Sequence, residues 1–311
     1  MTQTRNVLSP TIAVAAYAAV YSLSLYALSL QPGFSLIEPL FVLGVLGIAM
    51  PVLAVALTRN ARNPGPSARP IGTRETLASL GYLALFALFV LGFGFSVINE
   101  AIADEPTRSL AKLGVKLATM VALPVALLAM FGHRWRDTLA PGWSWPKHGR
   151  ALIGVGLALL AFQAVFGRGL QSLDALQPAW STMAWAIPAC FLLASLEAGL
   201  CEEVLFRVFL QTRLAAFLKS ELGAIAIGSL LFGLAHAPGL YLRGAALMEG
   251  AGGQPTLLWS LAYSIAIISP AGILFGVLWS RTRSLALIVV LHGLTDTLPH
   301  LAPFIETWAS H

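Results

Sequence analysis

Four ionisable side chains crowd into one apolar run. Glu197, Glu202, Glu203 and Arg207 occur in Glu-Ala-Gly-Leu-Cys-Glu-Glu-Val-Leu-Phe-Arg, flanked by Trp185–Leu196 and Val208–Leu210, which are apolar stretches. Ionisable groups in such a setting are costly to bury and face a bundle interior or a water-filled cavity. On a helix, Glu203 and Arg207 are four apart and share a face, so they are expected to form an ion pair. Glu202 is rotated from Glu203 by roughly one hundred degrees. It is the carboxylate less committed to Arg207 and freer to act as a base. Glu197, one turn before Cys201, is a candidate for a supporting role. A cluster that only holds helices together would use the same residue types.

Three further polar residues lie in later apolar runs. His236 ends Phe-Gly-Leu-Ala-His, and Phe232, one turn earlier, is placed to wall a pocket. His292 and Asp296 are four apart in His-Gly-Leu-Thr-Asp. They share a helix face, so Asp296 can orient or charge-balance the imidazole. Any one of these alone reads as a helix–helix hydrogen-bonding group. Together they offer a carboxylate, an arginine, two histidines and an aspartate.

The elements that must position them are membrane spans. The chain has 311 residues, 57% hydrophobic and 11% charged, where a soluble domain carries about a quarter charged residues. That composition reads as an all-α, polytopic transmembrane helical bundle. Nine apolar runs are long enough, or nearly so, to cross a bilayer. They are Pro10–Leu30, Leu36–Leu57, Thr76–Ile98, Leu110–Phe131, Ala151–Gly167, Trp180–Leu210, Leu222–Pro238, Leu257–Ser280 and Ser284–Pro299. The sixth is over-long, and the fifth, seventh and ninth are short. The sixth and seventh form a hairpin turning near Lys219. Glu202 lies about as far before that turn as His236 lies after it, on the order of 25 Å along either helix. The two are expected to come level in depth, with His292 about halfway along the ninth span.

Orientation follows from the Lys/Arg bias of the loops. With the N-terminus and Arg5 in the cytoplasm, Arg59, Arg62, Arg69, Arg74, Arg134, Arg136, Lys147, Arg150, Arg213, Lys219, Arg281 and Arg283 all fall inside. The opposite loops hold Arg108, Arg168 and Arg243 with the acidic Glu100, Asp104 and Glu105. Lys112 and Lys116 fit this pattern less well and are read as snorkelling to the interface. The sequence pI of about 9.5 therefore belongs to the loops and not to a nucleic-acid site. Met1–Pro10 leads into a retained first helix rather than a signal peptide. Asn60–Arg74 reads as a flexible loop and Gly239–Pro255, with Glu249, as a mobile one. Gly132–Arg150 reads as an interfacial anchor, with Trp135, Trp143 and Trp145 among basic residues and with solvated His133 and His148. Residues 1–150 form an accessory half and 151–311 the half with the chemistry, its motifs within 180–299. Cys190 and Cys201 make no disulfide framework and lack zinc-cluster spacing.

The ordered trio resembles the CPBP family, the CAAX-processing and bacteriocin-processing intramembrane proteases. Glu202-Glu203-Val-Leu-Phe-Arg207 is similar to its EExxxR motif and Phe232-Gly-Leu-Ala-His236 to its FxxxH motif. His292-Gly-Leu-Thr-Asp296 is similar to HxxxN, with Asp where the prenyl-protein endopeptidase branch has Asn. That change leaves a negative charge beside His292. The resemblance spans roughly Trp180–Pro299 and implies hydrolysis of a peptide bond inside the membrane. It is similar to glutamic-type proteases in which the first Glu of the pair activates water. On that pattern Glu202 takes a proton from water, His236 orients the water, and His292 stabilises the developing oxyanion. Asp296 completes the catalytic set, with Glu203 and Arg207 in support. No cofactor is needed. Zinc is the mechanistic rival, since two His and a carboxylate (Glu202, His236, His292) are a known ligand set. Cys201 as nucleophile is a weaker rival, having no His at helical spacing.

The implied substrate is a membrane-anchored protein or peptide cut in its membrane-proximal tail, in the lipid bilayer. Some bacterial members of the family, the myxosortase-like ones, process C-terminal sorting tails. Arg outnumbers Lys and Ala and Leu are abundant, which suits a GC-rich bacterium and its cytoplasmic membrane. The competing classes are a non-catalytic membrane scaffold or bacteriocin-immunity protein of the same fold, and a small transporter using the charges as a relay.

Overall fold

The computed structural model describes residues 9–61, 71–140, 142–243 and 255–309. The N-terminal Arg5, the loop residues Arg62 and Arg69, and Glu249 lie outside the described residues, as do most of the loops around them. Among the described residues there is no strand, and nine helices are long and apolar enough to cross a membrane. They are α1 (Pro10–Ser29), α2 (Ile37–Leu57), α3 (Thr73–Ala101), α4 (Glu105–Met130), α5 (Trp145–Phe166), α6 (Trp180–Leu218), α7 (Glu221–Leu242), α8 (Leu257–Thr282) and α9 (Leu285–Trp308). The chain is an all-α polytopic membrane protein.

Several helices outlast the apolar runs that announce them. The fifth, seventh and ninth spans, expected to be short, have 22, 22 and 24 residues. Helix α5 begins at Trp145, so Lys147 and Arg150 are already helical. His148, expected in solvent, is buried instead. Its Nδ1 accepts the backbone N–H of Ser144 at 3.0 Å. A side chain thereby satisfies one of the donors that a helix N-terminus leaves orphaned. Helix α9 continues through Pro299 and Pro303.

Arg213, expected among the loop cations, is buried near the end of α6. It donates to Glu75 on α3 at 2.8 Å, with side-chain exposures of 4% and 5%. Two charges stay buried here because each compensates the other; either one alone would be left unpaired away from water.

The chain packs as two units that interleave in sequence. The first comprises Met1–Val55, Asn63–Ser96 and Phe209–Ser280; the second comprises Ala56–Arg62, Val97–Val208 and Arg281–His311. In the first unit, α8 is the central helix: α1, α2 and α7 all pack on it. Tyr17 and Ser269 share a 2.8 Å hydrogen bond there, and the Tyr21 hydroxyl donates to the Pro39 carbonyl at 2.7 Å. Helices α6 and α7 turn at Lys219, whose φ of 51° is left-handed. Ser220 then caps α7 by accepting the Gly223 N–H.

In the second unit, α9 packs against α5, against Gly169–Leu176 and against the first two-thirds of α6. The α6–α9 seam is made of small residues. A Cβ on Gly199 would stand 2.7 Å from the Val289 carbonyl oxygen, and one on Gly293 would collide with the Ser195 hydroxyl. Close backbone approach through small residues is how transmembrane helices associate without a hydrophobic driving force. This seam carries the chemistry-bearing residues of α6 and α9.

Candidate active site

Helix α6 is not a regular α-helix where its charges lie. Ser195–Leu200 and Val204–Gln211 are π-helical, and a single α-helical turn, Cys201–Glu203, separates them. The Cys201 N–H bonds the Leu196 carbonyl, five residues back. Such wide turns are frequent at functional sites, and α2, α3, α4 and α8 contain them too. Here they flank the paired carboxylates.

The two carboxylates have different surroundings. Glu203 is fully buried and engaged on both oxygens. Its Oε1 takes the Nδ1–H of His292 at 2.7 Å, and its Oε2 lies 3.2 Å from Arg207 Nε. Arg207 is 1% exposed and Glu203 0%. The Arg207–Glu203 contact is an ion pair by distance, without the alignment of a hydrogen bond. Glu202 retains 13% side-chain exposure, and its Oε2 lies 3.7 Å from His292 Nε2. Asp296 Oδ2 stands at the same 3.7 Å from that nitrogen and is 25% exposed. One imidazole thus bonds Glu203 through Nδ1 and turns Nε2 towards Glu202 and Asp296. The residue that holds His292 by a direct hydrogen bond is Glu203, on another helix; Asp296, one turn along α9, is the longer contact.

Glu202, Glu203, Arg207, His292 and Asp296 are therefore brought together within the second unit. His236 belongs to the first unit, at the junction between Glu221–Leu234 and Ala237–Arg243. Pro238 follows it by two residues, and a proline disfavours helical geometry in the residue before it. His236 Nδ1 donates to the Phe232 carbonyl at 2.8 Å, which leaves Nε2 as the acceptor. The Phe232 ring stands 5.0 Å from the imidazole, centroid to centroid.

Lys116 carries more than its sequence reading. Lys116 on α4, read as snorkelling, forms an ion pair with Glu197, its Nζ 2.9 Å from Glu197 Oε1. The pair lies 81 residues apart in sequence, so no local spacing announces it. Cys201 is fully buried. Among the described residues, no group of three or more His, Cys, Asp and Glu side chains is arranged to hold a metal ion. Nδ1 of His292 is already taken by Glu203, so Nε2 is the ring nitrogen left to serve as a ligand.

Residues 183–298 match a family described as Type II CAAX prenyl endopeptidase Rce1-like. This stretch of the chain is similar to that family. It runs from α6 to α9 and takes in Glu202, Glu203, Arg207, His236, His292 and Asp296, so the resemblance to the CPBP family is shown over that stretch. The Rce1-like family is a family of proteases. No curated protein and no solved structure matches the chain.

Proposed function

We propose that the chain is an intramembrane endopeptidase that hydrolyses a peptide bond in the membrane-proximal tail of a membrane-anchored protein or peptide. The observation that carries this reading is the division between the carboxylates. Glu203 is sealed and held on two sides, whereas Glu202 is the accessible one, 3.7 Å from His292 Nε2. That distance exceeds a direct hydrogen bond, and a water or substrate oxygen placed beside the two groups can reach both.

Glu202 acts as general base on that water and then returns the proton to the amine that leaves as the C–N bond breaks. The attacked carbonyl develops an oxyanion, and His292 stabilises it through Nε2. To donate there while Nδ1–H bonds Glu203, the imidazole must carry both protons, and Glu203, Glu202 and Asp296 supply the balancing charge. By its likeness to the FxxxH motif, His236 takes the role of orienting the water. Glu203 and Arg207 hold the turn that carries Glu202. Residues 151–311 form the protease core, and 1–150 are accessory apart from α4. The protein lies in a bacterial cytoplasmic membrane with its N-terminus inside, and its substrates are sorting tails of the myxosortase kind rather than prenylated proteins.

Co-expression with membrane-anchored tails encoded nearby in the genome, scored by product mass, tests this. Wild type is expected to trim a tail that Glu202→Gln leaves intact; equal products from both would refute it. Exhaustive chelation is expected to leave turnover unchanged. Activity lost to a chelator and restored by zinc would assign the base to a metal-bound water instead.

A further inference from the structure

Lys116 is a cation in a transmembrane helix, and such residues are rare unless they have a partner and a role. Its partner is Glu197, at 2.9 Å. The pair is not sealed like Arg207 and Glu203: side-chain exposures are 20% for Lys116 and 29% for Glu197, against 1% and 0%.

Helix geometry brings this pair to Glu202. Residues five apart on an α-helix point about 140° away from each other. A π-turn bonds residue i to i+5 and stacks them. Glu197 and Glu202 are five apart; Glu197 lies inside the π-helical stretch Ser195–Leu200, whose wide turn brings the α-helical turn Cys201–Glu203 round over it. The α4 side matches, because Cys201–Glu203 packs on Leu117–Ala122, the turn that begins just after Lys116. Lys116, 2.9 Å from Glu197, is thereby held at the start of the α4 turn that packs on Cys201–Glu203. Charged and titratable groups on the elements packed here include Lys116 from α4, Glu197, Cys201, Glu203 and Arg207 from α6, and His292 and Asp296 from α9. Arg207 is engaged by Glu203, and Lys116 is a further cation on the α4 side of this turn.

We infer that Lys116 is a positioning residue for the reaction: gripped by Glu197, its ammonium stands beside the Glu202 carboxylate and sets the direction in which that carboxylate faces. The inference rests on Glu202 being the base, as proposed above. Lys116 acts through Glu202, and Glu197 acts through Lys116. A small displacement of a base relative to its water is costly, on the order of a hundredfold per ångström.

The test compares kcat, KM and Tm for wild type, Lys116→Gln, Lys116→Arg, Glu197→Ala and Glu202→Gln on a cleaved tail. Lys116→Gln and Glu197→Ala are expected to lower kcat by about ten- to a hundredfold with KM within about twofold, and Lys116→Arg to recover most of the loss. A Lys116→Gln variant that loses Tm but keeps kcat would make the pair a helix clasp and overturn the inference. Glu202→Gln being inactive in the same experiment would leave the proposed function standing. A second arm needs no substrate. In a double-mutant cycle on unfolding, Lys116→Gln and Glu202→Gln are expected to be non-additive, as coupled neighbours are. Additive losses would overturn the inference whether or not any tail is cleaved.

Discussion

Glu203 ties three residues on two helices together at once. Its two oxygens serve His292 on α9 and Arg207 on its own helix, and none of the three side chains is more than 6% exposed. Removing one member of a buried ion pair leaves the other charge uncompensated, at about 3–5 kcal/mol. Arg207→Ala is therefore expected to unfold at a temperature several degrees below wild type, measured by thermal denaturation in nanodiscs; an unchanged Tm would mean that the pair contributes little. Asp296 is a gentler case. It is partly exposed and 3.7 Å from His292, and it stands where the resembling prenyl-protein endopeptidases have Asn. Asp296→Asn is expected to keep turnover within about tenfold of wild type, since Glu203 still holds the ring. A loss of several decades would show that the negative charge itself is needed.

At the level of elements, the site depends on how closely α6 and α9 approach. Gly199 against Val289 and Gly293 against Ser195 leave no room for a side chain. Gly293→Val is expected to force the helices apart, lowering both the yield of folded protein and any activity, because Glu203 and His292 are joined across that seam. Pairing Gly293→Ala with Ser195→Gly is expected to recover part of what Gly293→Ala alone loses. Absence of any recovery would locate the defect elsewhere. The motif residues were legible in sequence because a four-residue spacing reports a shared helix face, as it does for Glu203 with Arg207 and His292 with Asp296. Lys116 with Glu197 and Arg213 with Glu75 were not, since each joins helices far apart in the chain. The π-helical turns were also hidden, because their wider spacing follows from packing rather than from residue type. His148 read as a loop residue because the apolar run starts after it, whereas the helix starts before.

For the whole molecule, the nine spans were legible because the apolar runs are long and the loops between them basic. Their interleaving into two packing units was not, because apolar periodicity says nothing about which helices pair. The N-terminus-inside orientation predicts the sidedness of every loop. Single cysteines in a Cys190→Ser, Cys201→Ala background are expected to react with a membrane-impermeant reagent from the outside near Asp104 and only after permeabilisation near Trp135. The opposite pattern would reverse the orientation without disturbing the site geometry.

The central claim is that the accessible carboxylate does the chemistry and the sealed one holds the structure. Turnover and Tm measured side by side for Glu202→Gln and Glu203→Gln test it most directly. Glu202→Gln is expected to keep its Tm and lose about two to four decades of turnover, the worth of general-base catalysis. Glu203→Gln is expected to lose Tm first, with activity falling alongside, because Arg207 is left charged in a dry site. A stable, inactive Glu203→Gln beside an active Glu202→Gln would contradict the assignment and exchange the two roles.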